Sequence, residues 1–130
     1  PFGEVQATWN LLEPSCGAAL AEAHAAGWGV IVKEAVANGR LTPYGEITQH
    51  PVVHQITKRH QAGVDQVALS AALSQPWTDV VLSGAVTLNE LASNVGATGV
   101  TLDGYDLEQL SQLAEPPADY WRYRSSLPWR

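Results

Sequence analysis

The stretch VVLSGAVTLNELASN, residues 80–94, decides how the rest of the sequence is read. A short β-branched run ends at Ser83-Gly84. Thr87 and Glu90 then form T-x-x-E, a capping box that opens a helix. Leu88, Leu91, Ala92 and Val95 follow at i, i+3, i+4 and i+7, the spacing of one helix face. The pattern is strand, tight turn, capped helix. Backbone N–H groups at such a helix start, with Gly84 allowing close approach, favour an anion such as phosphate. A plain connection into a capped helix gives the same pattern, because capping boxes are common.

Upstream, the same unit recurs. EVQATW (4–9) alternates Val5, Ala7 and Trp9 with Gln6, Thr8 and Asn10, which predicts a strand. Pro14-Ser15 begins an alanine-rich helix to about Ala26, with Leu20, Ala23 and Gly27 on one side. VIV (30–32) predicts a parallel strand covered on both faces. Residues 33–49 read as a loop, long enough to carry function. HPVVHQITKRH (50–60) predicts a helix with Pro51 at its first position, and VDQVALSAALSQ (64–75) a second one, stopped by Pro76. DVVLS (79–83) is the third strand. After residue 94, Asp106 is expected to cap a helix carrying Leu107, Leu110 and Leu113, and Pro116-Pro117 to break the chain before an aromatic, basic tail. Residues 1–104 and 105–130 are the expected divisions.

Strands alternating with helices imply βαβ units and a parallel sheet, either an open doubly wound sheet or an eight-stranded barrel. The first βα turn has no G-x-G-x-x-G, which disfavours the dinucleotide-binding open sheet. Gln6, Thr8 and Asn10 on one face of the first strand suit a barrel mouth. Three strands cannot close a barrel, so other strands or other copies of the chain are expected to complete it. The chain of 130 residues begins PFGEVQ and contains no methionine, so it is expected to be a piece of a longer protein. A formal net charge of −6 lacks the electrostatic footprint of a nucleic-acid or anionic-membrane binder. Cys16 is the single cysteine and has no intrachain disulfide partner. No apolar run approaches the ~20 residues that span a bilayer. The expected setting is soluble and cytoplasmic.

VIVKEAVANGRLT and VVLSGAVTLNELASN resemble the last two strand–loop segments of the aldo-keto reductases, and the resemblance extends from EVQATWNLLEPS to the tail. It implies an α/β fold: part of a (β/α)8 barrel, with strands six to eight and the C-terminal helices. It also implies a parent that reduces small carbonyl compounds with NADPH. By this resemblance Gln6 holds the nicotinamide carboxamide, a fitting pair because an amide both donates and accepts. Lys33 falls where many members have an aromatic residue that stacks on the nicotinamide, and a lysine cannot stack in that way. Glu34 and Val36 fall at the Ser and Leu of the SPLxxGxL loop that lines the pyrophosphate, while Gly39, Arg40 and Leu41 retain the loop's end. A glutamate beside a pyrophosphate is unfavourable unless it points away or pairs, for example with Arg40.

Gly84, Ala85, Thr87, Glu90 and Asn94 overlie the segment that grips the adenosine phosphate and the adenine. Many members have Lys and Arg at the positions of Gly84 and Glu90, where they pair with the 2′-phosphate. A carboxylate at position 90 repels that phosphate, so NADH is a possible cofactor beside NADPH. Glu90 also has a structural role in the capping box. The family's catalytic Asp, Tyr, Lys and His all belong to segments preceding residue 1, so no carbonyl reduction is expected from this chain alone. The implied partners are the nicotinamide cofactor, a small carbonyl substrate in the parent, and either the N-terminal half or a second copy. The alternative is a non-catalytic nucleotide- or protein-binding module of the same fold.

The remaining candidates read as structural. His50 and His54 stand at i and i+4, a metal-ligand spacing, but without H-E-x-x-H, and His50 is expected to cap the helix. His24, on the alanine-rich helix, and His60, at a helix end, also read as structural. Cys16 stands near a helix start, which lowers a thiol pKa, and reads better as a small buried residue. Trp9 and Trp28 suit sheet–helix packing, and Trp121 and Trp129 lie in the tail.

Overall fold

The valine and isoleucine runs form strands β1 (Glu4–Thr8), β2 (Gly29–Lys33) and β3 (Val80–Val81), all parallel, in the order β1-β2-β3. This architecture comes from a computed structural model that describes residues 3–128. Among the described residues there are six α-helices: α1 (Gly17–Ala25), α2 (Pro51–His60), α3 (Val64–Leu73), α4 (Leu88–Val95), α5 (Gly104–Leu110) and α6 (Pro117–Ser126). Trp129 of the expected tail lies outside the described residues.

Strand pairing fixes the two faces of the sheet. Val5 sits opposite Val30, and Ala7 and Val81 flank Val32. These side chains point toward the helices, and Val30 and Val32 are fully buried. The other face carries Gln6, Ile31, Lys33 and Val80, and Gln6 and Val80 stay exposed. Covering on both faces, expected from the β-branched run, is thus realised on one face only. β3 is shorter than the expected 79–83. Its ends are still pinned, because the Asp79 and Leu82 N–H groups donate to the Val30 and Val32 carbonyls at 3.1 and 2.9 Å. The Val30 N–H in turn donates to Asp79 Oδ2 at 2.8 Å.

Local chemistry explains the helix ends. His50 caps α2, its Nδ1 accepting from the Val52 N–H at 3.1 Å, and Pro51 occupies the first turn where its missing N–H costs nothing. Lys58, Arg59 and His60 complement the negative end of that helix. The last long helix pattern breaks differently from expectation. Asp103, not Asp106, is the cap: its Oδ1 accepts the Asp106 N–H at 2.8 Å, and Asp106 reaches back to the Asp103 N–H at 3.0 Å. Asp106 is therefore the third residue of α5 and closes a reciprocal box. Leu113 lies beyond α5, in a 3₁₀ turn. α1 starts at Gly17, because Pro14 and Ser15 are used in the turn before it. Within 33–49 the chain makes two 3₁₀ turns, Ala37–Gly39 and Glu46–Gln49.

The core lies under the helical side of the sheet, where Leu12, Leu41, Ile56, Leu110 and Tyr120 are fully buried. Trp9 packs edge-on against Trp77 with ring centroids 5.8 Å apart. Trp28, expected at the sheet–helix interface, is instead 47% exposed. The α4 stripe is the larger departure. Leu88 is 85% and Val95 60% exposed, and no residue of α4 is buried.

Candidate functional site

The loop after β2 is bent by backbone that L-residues rarely adopt. Glu34, Ala37 and Asn38 have φ of 57°, 53° and 56°, and Gly39 follows at 92°. Each left-handed non-glycine residue costs about 1–2 kcal/mol, and such strain is concentrated where a loop must present a surface. The bend carries Val36 and Gly39 against the turn after β3. Together with Thr42, Tyr44, Asp65 and the segment from Gly84 to Asn94, they line an open cavity of about 700 Å³.

Six of the residues expected from sequence meet there: Val36, Gly39, Gly84, Ala85, Glu90 and Asn94. A side chain on Gly39 or Gly84 would meet no atom within 4 Å, so the glycines leave room at this wall. Thr87 accepts the Glu90 N–H at 3.1 Å, the first half of the expected capping box. The second half differs, because Glu90 Oε1 accepts the Val86 N–H at 3.2 Å rather than that of Thr87. The amide of Asn94, oriented by its neighbours, donates to Asp65 Oδ2 at 2.9 Å and accepts from Ser83 Oγ at 2.7 Å. Ser93 Oγ donates to the same Asp65 oxygen at 2.6 Å. Asp65 and Ser93 escaped the sequence reading. Asp65 lies early in α3, some twenty residues before the turn, and only the packing of α3 on α4 brings it there.

The other expected residues lie elsewhere. Gln6 and Lys33 share the open face of the sheet, where Lys33 pairs in register with Thr8. Glu34 does not pair with Arg40. Its carboxylate accepts from Thr8 Oγ1 at 3.1 Å and forms an ion pair with Arg124 at 3.2 Å, while its carbonyl accepts from Asn10 Nδ2 at 2.9 Å. Arg40 donates through both terminal nitrogens to Glu115 and stands 4.5 Å over the Tyr123 ring. It borders a second cavity, with His50 and Tyr123. The C-terminal segment makes both exchanges: Glu115, just before α6, reaches Arg40, and α6 itself lies against the carboxyl ends of β1 and β2 and brings Arg124 to Glu34. There Tyr120 accepts from Asn10 Nδ2 at 3.1 Å, and the Trp121 indole N–H donates to Glu13 at 2.6 Å.

The nucleophile and metal candidates resolve simply. Burial pushes the Cys16 thiol pKa up, and the nearby Glu13 charge adds to this; Sγ donates to the Thr8 carbonyl. Among the described residues no group of three His, Cys, Asp or Glu side chains is arranged to hold a metal ion. His60 is structural: it faces the buried Asp106 at 2.8 Å, which also accepts from Arg59 at 2.6 Å. Among the described residues no helix is long and apolar enough to cross a membrane.

No protein-family model and no curated protein matches the sequence. Solved structures do match the fold. A thermostable aldo-keto reductase in complex with the inhibitor epalrestat is 20% identical with a TM-score of 0.71, the match covering 85% of this chain and 39% of that one. An aldo-keto reductase from Bacillus halodurans is 20% identical with a TM-score of 0.66, over 86% of this chain and 43% of that one. A putative 2,5-diketo-D-gluconic acid reductase B is 25% identical with a TM-score of 0.70, over 87% of this chain and 37% of that one. The chain thus spans about two fifths of the length of these structures. Its fold is that of the C-terminal part of an aldo-keto reductase barrel.

Proposed function

We propose that this chain is the cofactor-binding part of a nicotinamide-dependent reductase acting on small aldehydes or ketones. The observation that carries the reading is the meeting of the β2 and β3 loops, Gly39 with Gly84, Ala85 and Asn94, around one cavity at the carboxyl ends of parallel strands. The residues fit a dinucleotide in two respects. The glycines at 39 and 84 leave open space where a side chain would stand. Asn94 is held from behind by Ser83 and Asp65, so its amide is fixed in place. Gln6, on the open face of the sheet, supplies an amide for the carboxamide of the nicotinamide.

When bound, the dihydronicotinamide supplies the hydride. This chain binds and orients the cofactor, and the proton for the carbonyl oxygen comes from outside it. Tyr105 and Tyr123 are exposed outside the cavity and Tyr120 is buried against Asn10, while Tyr44 lines the cavity from the loop after β2 but is 95% exposed, with no base beside its hydroxyl among the described residues. The Asp, Tyr, Lys and His of the catalytic step belong to the covering half of the barrel. The exposed stripe of α4 and the free edge of β3 are where that half, or a second copy, is seated. A free, half-buried Cys16 suits the cytoplasm.

The test is a fluorescence titration of the chain with NADH and NADPH in parallel, alongside Asn94→Ala. Saturable binding weakened about tenfold by the substitution is expected, the worth of one good hydrogen bond to a fixed amide. Binding of neither nucleotide overturns the reading. It would leave the non-catalytic module of the same fold as the better description.

A further inference from the structure

The cavity beside α4 is unbalanced in charge. Two carboxylates, Asp65 and Glu90, line it, and no lysine or arginine does. Asp65 is only 5% exposed. Ser93 and Asn94 both donate to its Oδ2, whereas its buried Oδ1 has no donor among the described residues. Neither Asp65 nor Glu90 takes part in an ion pair among the described residues. Glu90 stands at the start of α4 and accepts the Val86 N–H, so the positive end of that helix already faces a carboxylate. The arginines flanking the β2 loop are engaged elsewhere, Arg40 with Glu115 and Arg124 with Glu34.

We propose that Asp65 and Glu90 make this cavity selective for an adenine dinucleotide with a free ribose 2′-hydroxyl, NADH, over one carrying a phosphate at that position. The proposal rests on the reading of the cavity as part of a dinucleotide site. A phosphate brought here meets two negative charges and no cation, and a buried, unpaired carboxylate is screened far less than a surface one. A hydroxyl, by contrast, donates to a carboxylate in a charge-assisted bond. The two residues act differently. Glu90 is exposed at the cavity rim and is able to meet the ribose directly. Asp65 acts from beneath through its charge and through the two side chains it holds.

The experiment measures dissociation constants for NADH and NADPH by fluorescence at low and high salt, for the unaltered chain, Glu90→Gln and Asp65→Asn. The unaltered chain is expected to bind NADH about tenfold more tightly at low salt. Added salt should narrow that ratio, and each substitution should narrow it by tightening NADPH. A role confined to packing would not respond to salt in this way. Should Asp65→Asn fail to fold, Glu90→Gln, at an exposed position, still decides the matter. A preference for NADPH in the unaltered chain, or a ratio unmoved by salt and by Glu90→Gln, overturns the proposal while leaving the dinucleotide reading intact. Binding of neither nucleotide overturns both.

Discussion

The α2–α3–α5 side and the β3–α4 side of the molecule begin from the same kinds of sequence signal and end in opposite states. Both have capped helices with an apolar face, opened by His50 on one side and Thr87 on the other. On the first side Val53, Ile56, Val67 and Leu110 are buried together. Its polar ends are tied as well: Asp106 accepts from Arg59 and from its own cap while facing His60. On the second side Leu88, Leu91 and Val95 face outward, and among the described residues β3 pairs with β2 alone. An amphipathic face states that burial is wanted. It does not state what supplies the cover. In a closed barrel each strand has a neighbour on both sides, and three strands cannot provide that.

The comparison breaks most sharply under substitution of the buried groups. Asp106→Ala is expected to cost about 3–4 kcal/mol, because it removes a buried acceptor shared by the Asp103 N–H, Arg59 and His60. Ile56→Ala should cost about 3 kcal/mol through lost burial and the cavity left behind. Leu88→Ala, on the exposed stripe, should cost about 0.5 kcal/mol or less. Urea unfolding of the three variants measures this ordering. A Leu88→Ala loss as large as that of Ile56→Ala, measured at a concentration where the chain is monomeric, would mean the stripe is covered within a single chain.

Association tests the same contrast without unfolding anything. An apolar stripe beside a free strand edge invites a partner, so the isolated chain should sediment as a species larger than a monomer. Leu88→Glu combined with Leu91→Glu should return it to a monomer while leaving its helical circular dichroism in place. A monodisperse monomer of the unaltered chain would show that the β3–α4 side is stable in water as it stands. Inside the molecule the expectation is chemical. Cys16, with its thiol pKa pushed up by burial and by the Glu13 charge, should alkylate more slowly near neutral pH than a free thiol. Rapid alkylation would place the α1 start among the loosely packed parts.

Much of this was legible in the sequence, and the residues show why the rest was not. Caps are local, so His50, Thr87 and Pro51 could be read from spacing of a few residues. Parallel strands announced themselves as β-branched runs between helices. One misreading needed contacts between distant residues, and another turned on a choice between two aspartates three residues apart. Arg40 looked like the partner of Glu34 because it is six residues away, yet α6 places Arg124 there, and Glu115, in the connection before α6, pairs with Arg40. Asp106 was read as a cap because it precedes the leucines, when Asp103 is the residue with extended backbone. In the site, the loop glycines and Asn94 were visible as a motif. Asp65 was not, since nothing in VDQVAL says that this carboxylate lies under a turn near residue 84.

The smallest expected effect lies at the α5 cap and carries a sign that can be checked. The Asp106 backbone N–H, foremost, and then Arg59 hold the Asp103 carboxyl below its ordinary pKa. The folded state thus binds a proton at this site less readily than the unfolded chain. Asp103 therefore contributes stability above the unfolded carboxyl pKa, and that contribution disappears as pH falls through the folded one. Asp103→Asn keeps a side-chain oxygen for the cap but removes the titration. Between about pH 5 and pH 2, the urea midpoint of the unaltered chain should fall slightly more steeply than that of Asp103→Asn, and the two should converge at the acid end. Parallel curves would mean that the cap at α5 is as indifferent to its charge as the exposed stripe of α4 is to its leucines.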